Sequence, residues 1–392
     1  MKFLRDICPE LKKHSNHKQI TVITGMRRTG KTTLIRWLLE QIPSENKLYI
    51  DLERIDNREL FDVKNYDDII GSLTRRGLSF AEKAYIALDE IQLTPNIASA
   101  IKYLYDSYDI KFFITGSSSY YLKNLFSESL AGRKKIFELY PLSFGEFLQF
   151  KNISFQPLSF LNIAFLSDEY DRLTGYYEEH IQFGGFPEVV LAPTADEKRD
   201  LIADIVSSYV NIDIKTLADF RSQHDIYTLM KMLASRVGSR LDYSKLSRLS
   251  GIPRVALQNY IDLFEKTYLI ARISVVSKNS DREIVKAKKL YFLDTGILNH
   301  LADVSSGAQF ENTVFNQLRA KGAIAYYALK TGDEIDFILD HSTALEAKET
   351  PIDQDARTLE RLAKNIAITQ CKLIGRKAVP NFLNYIWGGC IR

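Results

Sequence analysis

Cysteine is scarce in this chain: Cys8, Cys371 and Cys390 are the only three in 392 residues, odd in number and far apart. That excludes a disulfide framework and a cysteine-built zinc site, and it suits a reducing compartment. No apolar run reaches the roughly eighteen residues that a membrane-crossing helix takes. The opening Met1-Lys2-Phe3-Leu4-Arg5-Asp6 sets charges where a secretion signal has an apolar core. An excess of one charge is missing too. The 52 Lys and Arg stand against 49 Asp and Glu, a formal +3, so the overall field neither calls for nucleic acid nor excludes it. Repeats and low-complexity tracts are absent. These absences leave the expectation of a soluble, cytoplasmic protein with no membrane partner, built of roughly two to four domains that each bury a core.

What is present begins with Gly25-Met26-Arg27-Arg28-Thr29-Gly30-Lys31-Thr32, which meets every fixed position of the phosphate-cradling pattern G-x-x-x-x-G-K-[ST]. The β-branched run Ile20-Thr21-Val22-Ile23-Thr24 precedes it, and Leu34, Ile35, Leu38, Leu39 and Ile42 fall on one helical face behind it. The order is strand, loop, helix. Gly25 and Gly30 permit backbone angles that turn the N–H groups between them toward an anion. Lys31 is placed to reach the β- and γ-phosphates and the Thr32 hydroxyl suits Mg²⁺. Thr33 lies in the first helical turn, where unpaired N–H groups and the positive dipole end face the triphosphate. The expected ligands are ATP and Mg²⁺.

The apolar run Ala84-Tyr85-Ile86-Ala87-Leu88 closes on Asp89-Glu90. In a phosphate-loop enzyme a strand neighbouring the loop ends in an Asp that holds Mg²⁺ through water, and an adjacent Glu orients and deprotonates the attacking water. Asp89 and Glu90 are the candidates for these roles; the plainer alternative is a pair of helix caps. A further strand pattern from Ile110 ends on Thr115 and Ser117, which either bond the γ-phosphate or its water, or belong to a serine run capping a helix from Tyr120 to Phe126. Strands alternating with helices predict a parallel sheet covered on both faces, with ligands beyond the carboxyl ends of its strands.

The phosphate loop, Leu88-Asp89-Glu90-Ile91-Gln92, Thr115-Gly116-Ser117-Ser118, and Ala131-Gly132-Arg133 followed by Leu139-Tyr140-Pro141-Leu142-Ser143-Phe144-Gly145-Glu146-Phe147 together resemble the prokaryotic AAA-type ATPases, akin to the STAND group, that carry a C-terminal nuclease-like domain. The resemblance implies an ATP hydrolase over 1–165 and makes Arg133 a candidate γ-phosphate arginine, in cis or from a neighbouring copy in a homo-oligomer. It also makes 166–222 a helical lid containing the turn Gly184-Gly185-Phe186-Pro187.

Three short helical patterns and two apolar runs over 223–298 suggest a winged helix. Arg254, Gln258 and Asn259 are then candidates for a major groove, and Lys286, Lys288 and Lys289 for phosphates. The alternative is a packing module that transmits nucleotide state. Over 299–392 the patterns run α-β-β-β-α. Strand periodicity puts Glu346 and Lys348 on one face, with Asp336 within reach if its strand forms a hairpin with theirs.

An Asp, a Glu and a Lys converging in this way suit metal-assisted phosphodiester hydrolysis, with Glu311 as an added ligand; the plainer reading is a cross-strand salt bridge. Asp336 … Glu346-Ala347-Lys348 resembles the restriction-endonuclease-like PD-(D/E)XK core, which implies that Asp336 and Glu346 bind metal and Lys348 stabilises developing charge. The fold class expected is α/β: a P-loop parallel sheet, a lid, a winged helix and a nuclease-like α/β domain that either cuts DNA or holds a partner without cutting.

Overall fold

A computed structural model describes residues 3–94, 97–117, 130, 132–214, 223–276 and 287–392. The chain forms two compact units, Met1–Tyr140 with Lys266–Tyr268, and Pro141–Glu265 with Leu269–Arg392.

In the first unit, α1 (Cys8–His14) is followed by β1 (Ile20–Thr24), α2 (Lys31–Glu40), β2 (Lys47–Asp51), α3 (Asp67–Arg75), β3 (Ala84–Asp89), α4 (Ile97–Ser107), β4 (Ile110–Gly116) and β5 (Lys134–Glu138). The strands pair in parallel in the order β2-β3-β4-β1-β5. Helix α2 packs Leu34, Ile35 and Leu38 against Ile23, Phe113 and Phe137 on one face. On the other, Ile69, Leu73, Ile101 and Leu104 of α3 and α4 meet Val22, Ile86 and Phe112, so the sheet is covered on both sides as a parallel sheet must be. One expectation is corrected: β3 does not neighbour the loop-bearing β1. β4, buried at all seven of its residues, lies between them.

The second unit starts earlier than the expected boundary at 165. Ser143 caps α5 (Phe144–Phe150) in a reciprocal box with Glu146. Phe144 and Phe147 then pack edge to face on Tyr177 and His180 of α6 (Ser167–Phe183) at 4.9 and 5.3 Å between ring centres, which binds 141–150 to α6. After α7 (Pro187–Leu191) and α8 (Ala195–Ser208) come α9 (Gln223–Ala234), α10 (Tyr243–Ser250), α11 (Arg254–Lys266), and the antiparallel pair β6 (Ile270–Ile273) and β7 (Lys289–Phe292). Helices α12 (Thr295–Leu301) and α13 (Ser306–Leu318) lead into β8 (Ile324–Ala328), β9 (Glu334–Leu339), β10 (Thr343–Lys348), α14 (Asp353–Lys364), β11 (Gln370–Gly375) and β12 (Ile386–Trp387). These strands form a second sheet in the order β12-β11-β10-β9-β8. Leu359, Leu362 and Ala363 of α14 pack on Ile335, Ile338, Ala344 and Leu373. The α-β-β-β-α order and the β9–β10 hairpin are present.

The turn at Gly184-Gly185 is a close-packed joint. Gly184 sits at φ +75°, and a Cβ there would lie 2.3 Å from either Asp294 oxygen; at Gly185 it would lie 2.4 Å from the Leu142 carbonyl oxygen, and at Gly296 2.2 Å from that of Phe183. The Asp294 carboxylate accepts N–H groups of Gly185 at 2.8 Å and Ile297 at 3.0 Å, so it caps α12 and ties the turn to it.

Burial pushes the Asp294 carboxyl up to about 6 against those N–H bonds. Because the folded value exceeds the unfolded one, the folded state binds more protons between about pH 4 and 6, and stability falls as pH rises through that window. Asp294→Asn is expected to remove this part of the slope, about 3 kcal/mol. Urea midpoints of native and variant protein at pH 4.5 and 6.5 check it; equal pH dependence in both would refute it.

Candidate nucleotide site and acid cluster

The loop leaves β1 at Thr24 and enters α2 at Lys31, at the carboxyl edge of the first sheet. Gly25 is required by a close approach, since a Cβ would lie 2.0 Å from the Leu139 carbonyl oxygen; the Leu139 N–H donates to Thr24 at 2.7 Å. Gly30 caps α2 at φ +95° in the left-handed region. Lys31, 4% exposed, folds back so that Nζ donates to the carbonyls of Gly25 at 3.1 Å and Met26 at 3.0 Å. Met26 is buried, Arg27 and Arg28 half-buried, Thr32 half-buried and Thr33 exposed. Thr29 is buried and its hydroxyl donates to the Met26 carbonyl at 2.9 Å.

Sequence reading missed Arg5. Its guanidinium, 6% exposed, donates to the carbonyls of Thr29 at 2.9 Å and Tyr140 at 2.7 Å. In a trans peptide the C=O and the following N–H point in opposite directions. With the Thr29 carbonyl held toward Arg5, the Gly30 N–H is turned the other way, as an anion-binding loop requires. Nothing in the sequence marks an arginine so far upstream as part of the loop.

Asp89 and Glu90 lie at the carboxyl end of β3 and are buried. Asp89 accepts the Tyr49 hydroxyl at 2.7 Å and the Thr115 hydroxyl. Glu90, at φ +55°, turns its N–H to Thr115 Oγ1 at 3.0 Å. Its carboxylate accepts the Ser117 hydroxyl at 2.7 Å and the Gln92 amide. Burial raises the Glu90 carboxyl, but Lys31, the bonds from Ser117 and Gln92, and Arg27 outweigh it and hold it below the ordinary carboxylate value. The loop lysine and the strand-end acids therefore share one electrostatic environment, with the end of β4 placed between them by the strand order. Tyr49 and Gln92 were not foreseen in these roles; Arg36 stacks over Tyr49, 4.5 Å from its ring centre.

Arg133 is not near this edge. Its carbonyl accepts the Ile20 N–H at 2.8 Å, and its side chain pairs with Asp106 at 3.0 Å. Ile20 starts β1, so Arg133 lies at the opposite end of the sheet, about 13 Å of strand from Thr24. A role in cis on its own loop is corrected on that ground. Ser118, Ser119, Ala131 and the expected helix from Tyr120 to Phe126 lie outside the described residues.

In the second unit β9 and β10 bring Asp336 opposite Glu346. Asp336 accepts the Ala347 N–H at 3.1 Å, Glu346 accepts the Asp336 N–H at 3.2 Å, and Lys348 donates to Glu346 at 2.8 Å. Glu311 on α13 accepts the Tyr291 hydroxyl at 2.7 Å. Burial raises the Glu311 and Glu346 carboxyls, helped by the charge of Asp336. Lys289 is corrected as a phosphate contact: it is 1% exposed and ion-paired to Glu311, Glu334 and Asp336. At the start of α11 Arg254 and Asn259 are exposed and Gln258 half-buried; Lys288 is half-buried, and Lys286 lies outside the described residues.

Residues 17–148 match the family model described as an AAA domain, and 174–308 one described as a domain of unknown function. An uncharacterised protein of Haemophilus influenzae is 31% identical over 335 residues, covering 81% of this chain and 79% of that protein. This chain belongs to that protein's family. An uncharacterised protein of Methanocaldococcus jannaschii is 28% identical over 374 residues, covering 91% of this chain and 81% of that one. Among solved structures, the ADP form of the Aeropyrum pernix ORC2 protein superposes at a TM-score of 0.38 with 13% identity, over 69% of this chain and 88% of that one. This chain carries an AAA-type P-loop domain in its first part. The loop, the acids and the central β4 all fall inside the AAA match. The second match spans the Gly184-Gly185 joint, α9 to α12 and the start of α13. No helix among the described residues is long and apolar enough to cross a membrane.

Proposed function

We propose that this chain binds ATP with Mg²⁺ at the loop 25–32 and hydrolyses it, and that the nucleotide state governs a second unit acting on DNA. The observation that carries the ATPase reading is the placement of the loop after β1 and of Asp89 and Glu90 at the end of β3, all at the carboxyl edge of one parallel sheet. Backbone N–H groups of 26–33 cradle the phosphates and Lys31 exchanges its carbonyl bonds for phosphate oxygens. The Thr32 hydroxyl and the Asp89 carboxylate are hard oxygen donors of the kind Mg²⁺ takes. Bound Mg²⁺ supplies neutralisation of charge on the β- and γ-phosphates. Glu90, ionised at neutral pH, orients the attacking water and accepts its proton, and Ser117 and Thr115 hold the acids in place.

Replacing Lys31 with Ala removes the charged donor and is expected to weaken ATP binding about 100-fold. A fluorescent ATP analogue titrated against native and variant protein reads it, and unchanged affinity would sink the assignment. Arg5→Met leaves the Thr29 carbonyl unheld and is expected to weaken ATP binding about tenfold. Arg5→Lys should recover only part, because one ammonium is a poorer bridge between two carbonyls than a forked guanidinium. Equal affinity for all three proteins would remove Arg5 from the loop's support.

Helices α9 to α11 followed by antiparallel β6 and β7 support a winged-helix reading, with Arg254 and Asn259 on the exposed start of α11. Anisotropy of a labelled duplex at two salt concentrations tests it. Absence of salt-sensitive binding favours instead a packing module that passes nucleotide state onward.

A further inference from the structure

The nuclease resemblance implies a divalent metal among Glu311, Asp336 and Glu346, and the residues do not fit one. Two of these carboxylates, Glu311 and Asp336, converge with Glu334 on a lysine. Lys289 Nζ lies 2.9 Å from Glu334 Oε1, 3.4 Å from Asp336 Oδ1 and 3.5 Å from Glu311 Oε1. The second oxygen of Asp336 and both oxygens of Glu346 are engaged as well. Asp336 Oδ2 takes the Ala347 N–H, Glu346 Oε2 the Asp336 N–H, and Glu346 Oε1 the Lys348 ammonium.

The Gly238 backbone runs beside Glu311, where an added Cβ would lie 3.0 Å from Oε2. Arg240 adds a third cation 3.6 Å from Glu334. Among the described residues no group of three or more His, Cys, Asp or Glu is arranged to hold a metal ion.

We propose that the Lys289 ammonium is a built-in cation that closes this cluster in place of a divalent metal, so that the second unit grips its target without cutting phosphodiesters. Four carboxylates, Glu311, Glu334, Asp336 and Glu346, face three cations, Lys289, Lys348 and Arg240. The cation comes from β7, outside the three strands that carry the nuclease-like pattern, which is why the pattern alone reads as a cutting centre. The proposal does not depend on ATP hydrolysis.

The test is a titration of nucleotide-free protein with Mn²⁺, read by electron paramagnetic resonance and by melting curves. Native protein is expected to show no Mn²⁺ site that depends on Asp336, and no shift in melting temperature. Lys289→Met keeps most of the side-chain volume and removes the charge. It is expected to take up one Mn²⁺ per chain and to gain about 5 °C at saturation. One Mn²⁺ per native chain that Asp336→Asn abolishes would overturn the proposal, as would a folded Lys289→Met protein indifferent to Mn²⁺. If Lys289→Met does not fold even with Mn²⁺ present, the native and Asp336→Asn titrations decide the question by themselves.

Discussion

Glu90→Gln is expected to lower ATP turnover by about 100- to 1,000-fold while leaving ATP affinity within about threefold of native, the span a positioned general base commands. The split follows from geometry. The Glu90 carboxylate faces Ser117 and Gln92, and it feels Lys31 through space. Glutamine keeps an oxygen for the Ser117 hydroxyl but can neither accept a proton from water nor carry the charge. Because the native carboxyl is held below the ordinary value, the base is ionised across neutral pH, so the acid limb of kcat belongs below the usual carboxylate range. Phosphate release under multiple turnover, beside nucleotide binding, separates the two quantities. A variant that turns over at the native rate would take Glu90 out of the chemistry and return the Asp89-Glu90 pair to a structural role.

The parts of the fold that local pattern controls were legible in the sequence. The glycines at 25 and 30, the β-branched run before them and the apolar face behind them specify strand, loop and helix through contacts only a few residues apart. The acids at the end of β3 were legible because the phosphate loop upstream gives an apolar run closing on two carboxylates a specific meaning. What stayed hidden depends on contacts distant in sequence. Arg5 reaches Thr29 and Tyr140, and Tyr49 reaches Asp89 forty residues on. The place of β4 between β1 and β3 is set by pairing between strands far apart in sequence, which periodicity does not rank. Lys289 misled for a related reason: a lysine beside a polar run reads as solvated, and only the second sheet supplies the carboxylates that bury it. Arg133 misled because a basic residue before a strand carries no sign of which end of the sheet it occupies.

The Gly184-Gly185 joint shows how costly such a long-range requirement is. Gly185 is enclosed by backbone: its N–H donates to Asp294 at 2.8 Å, its carbonyl accepts the Leu142 N–H at 2.7 Å, and a Cβ would lie 2.4 Å from the Leu142 oxygen and 2.8 Å from its nitrogen. Backbone cannot rotate aside as a flexible side chain can, so a methyl group must push the 141–143 segment away and break at least one of those buried bonds. Overpacking and a lost buried hydrogen bond together suggest a cost of about 4 kcal/mol for Gly185→Ala, a fall of about 10 °C in the melting temperature of the second unit. Gly175→Ala is the matched control. It lies within α6, where a Cβ would meet nothing within 4 Å, and alanine there should stabilise by about 0.5 to 1 kcal/mol through helix propensity. Melting curves for the pair read the difference directly. If Gly185→Ala melts with Gly175→Ala, the joint is an ordinary loop and its glycines serve something other than close packing.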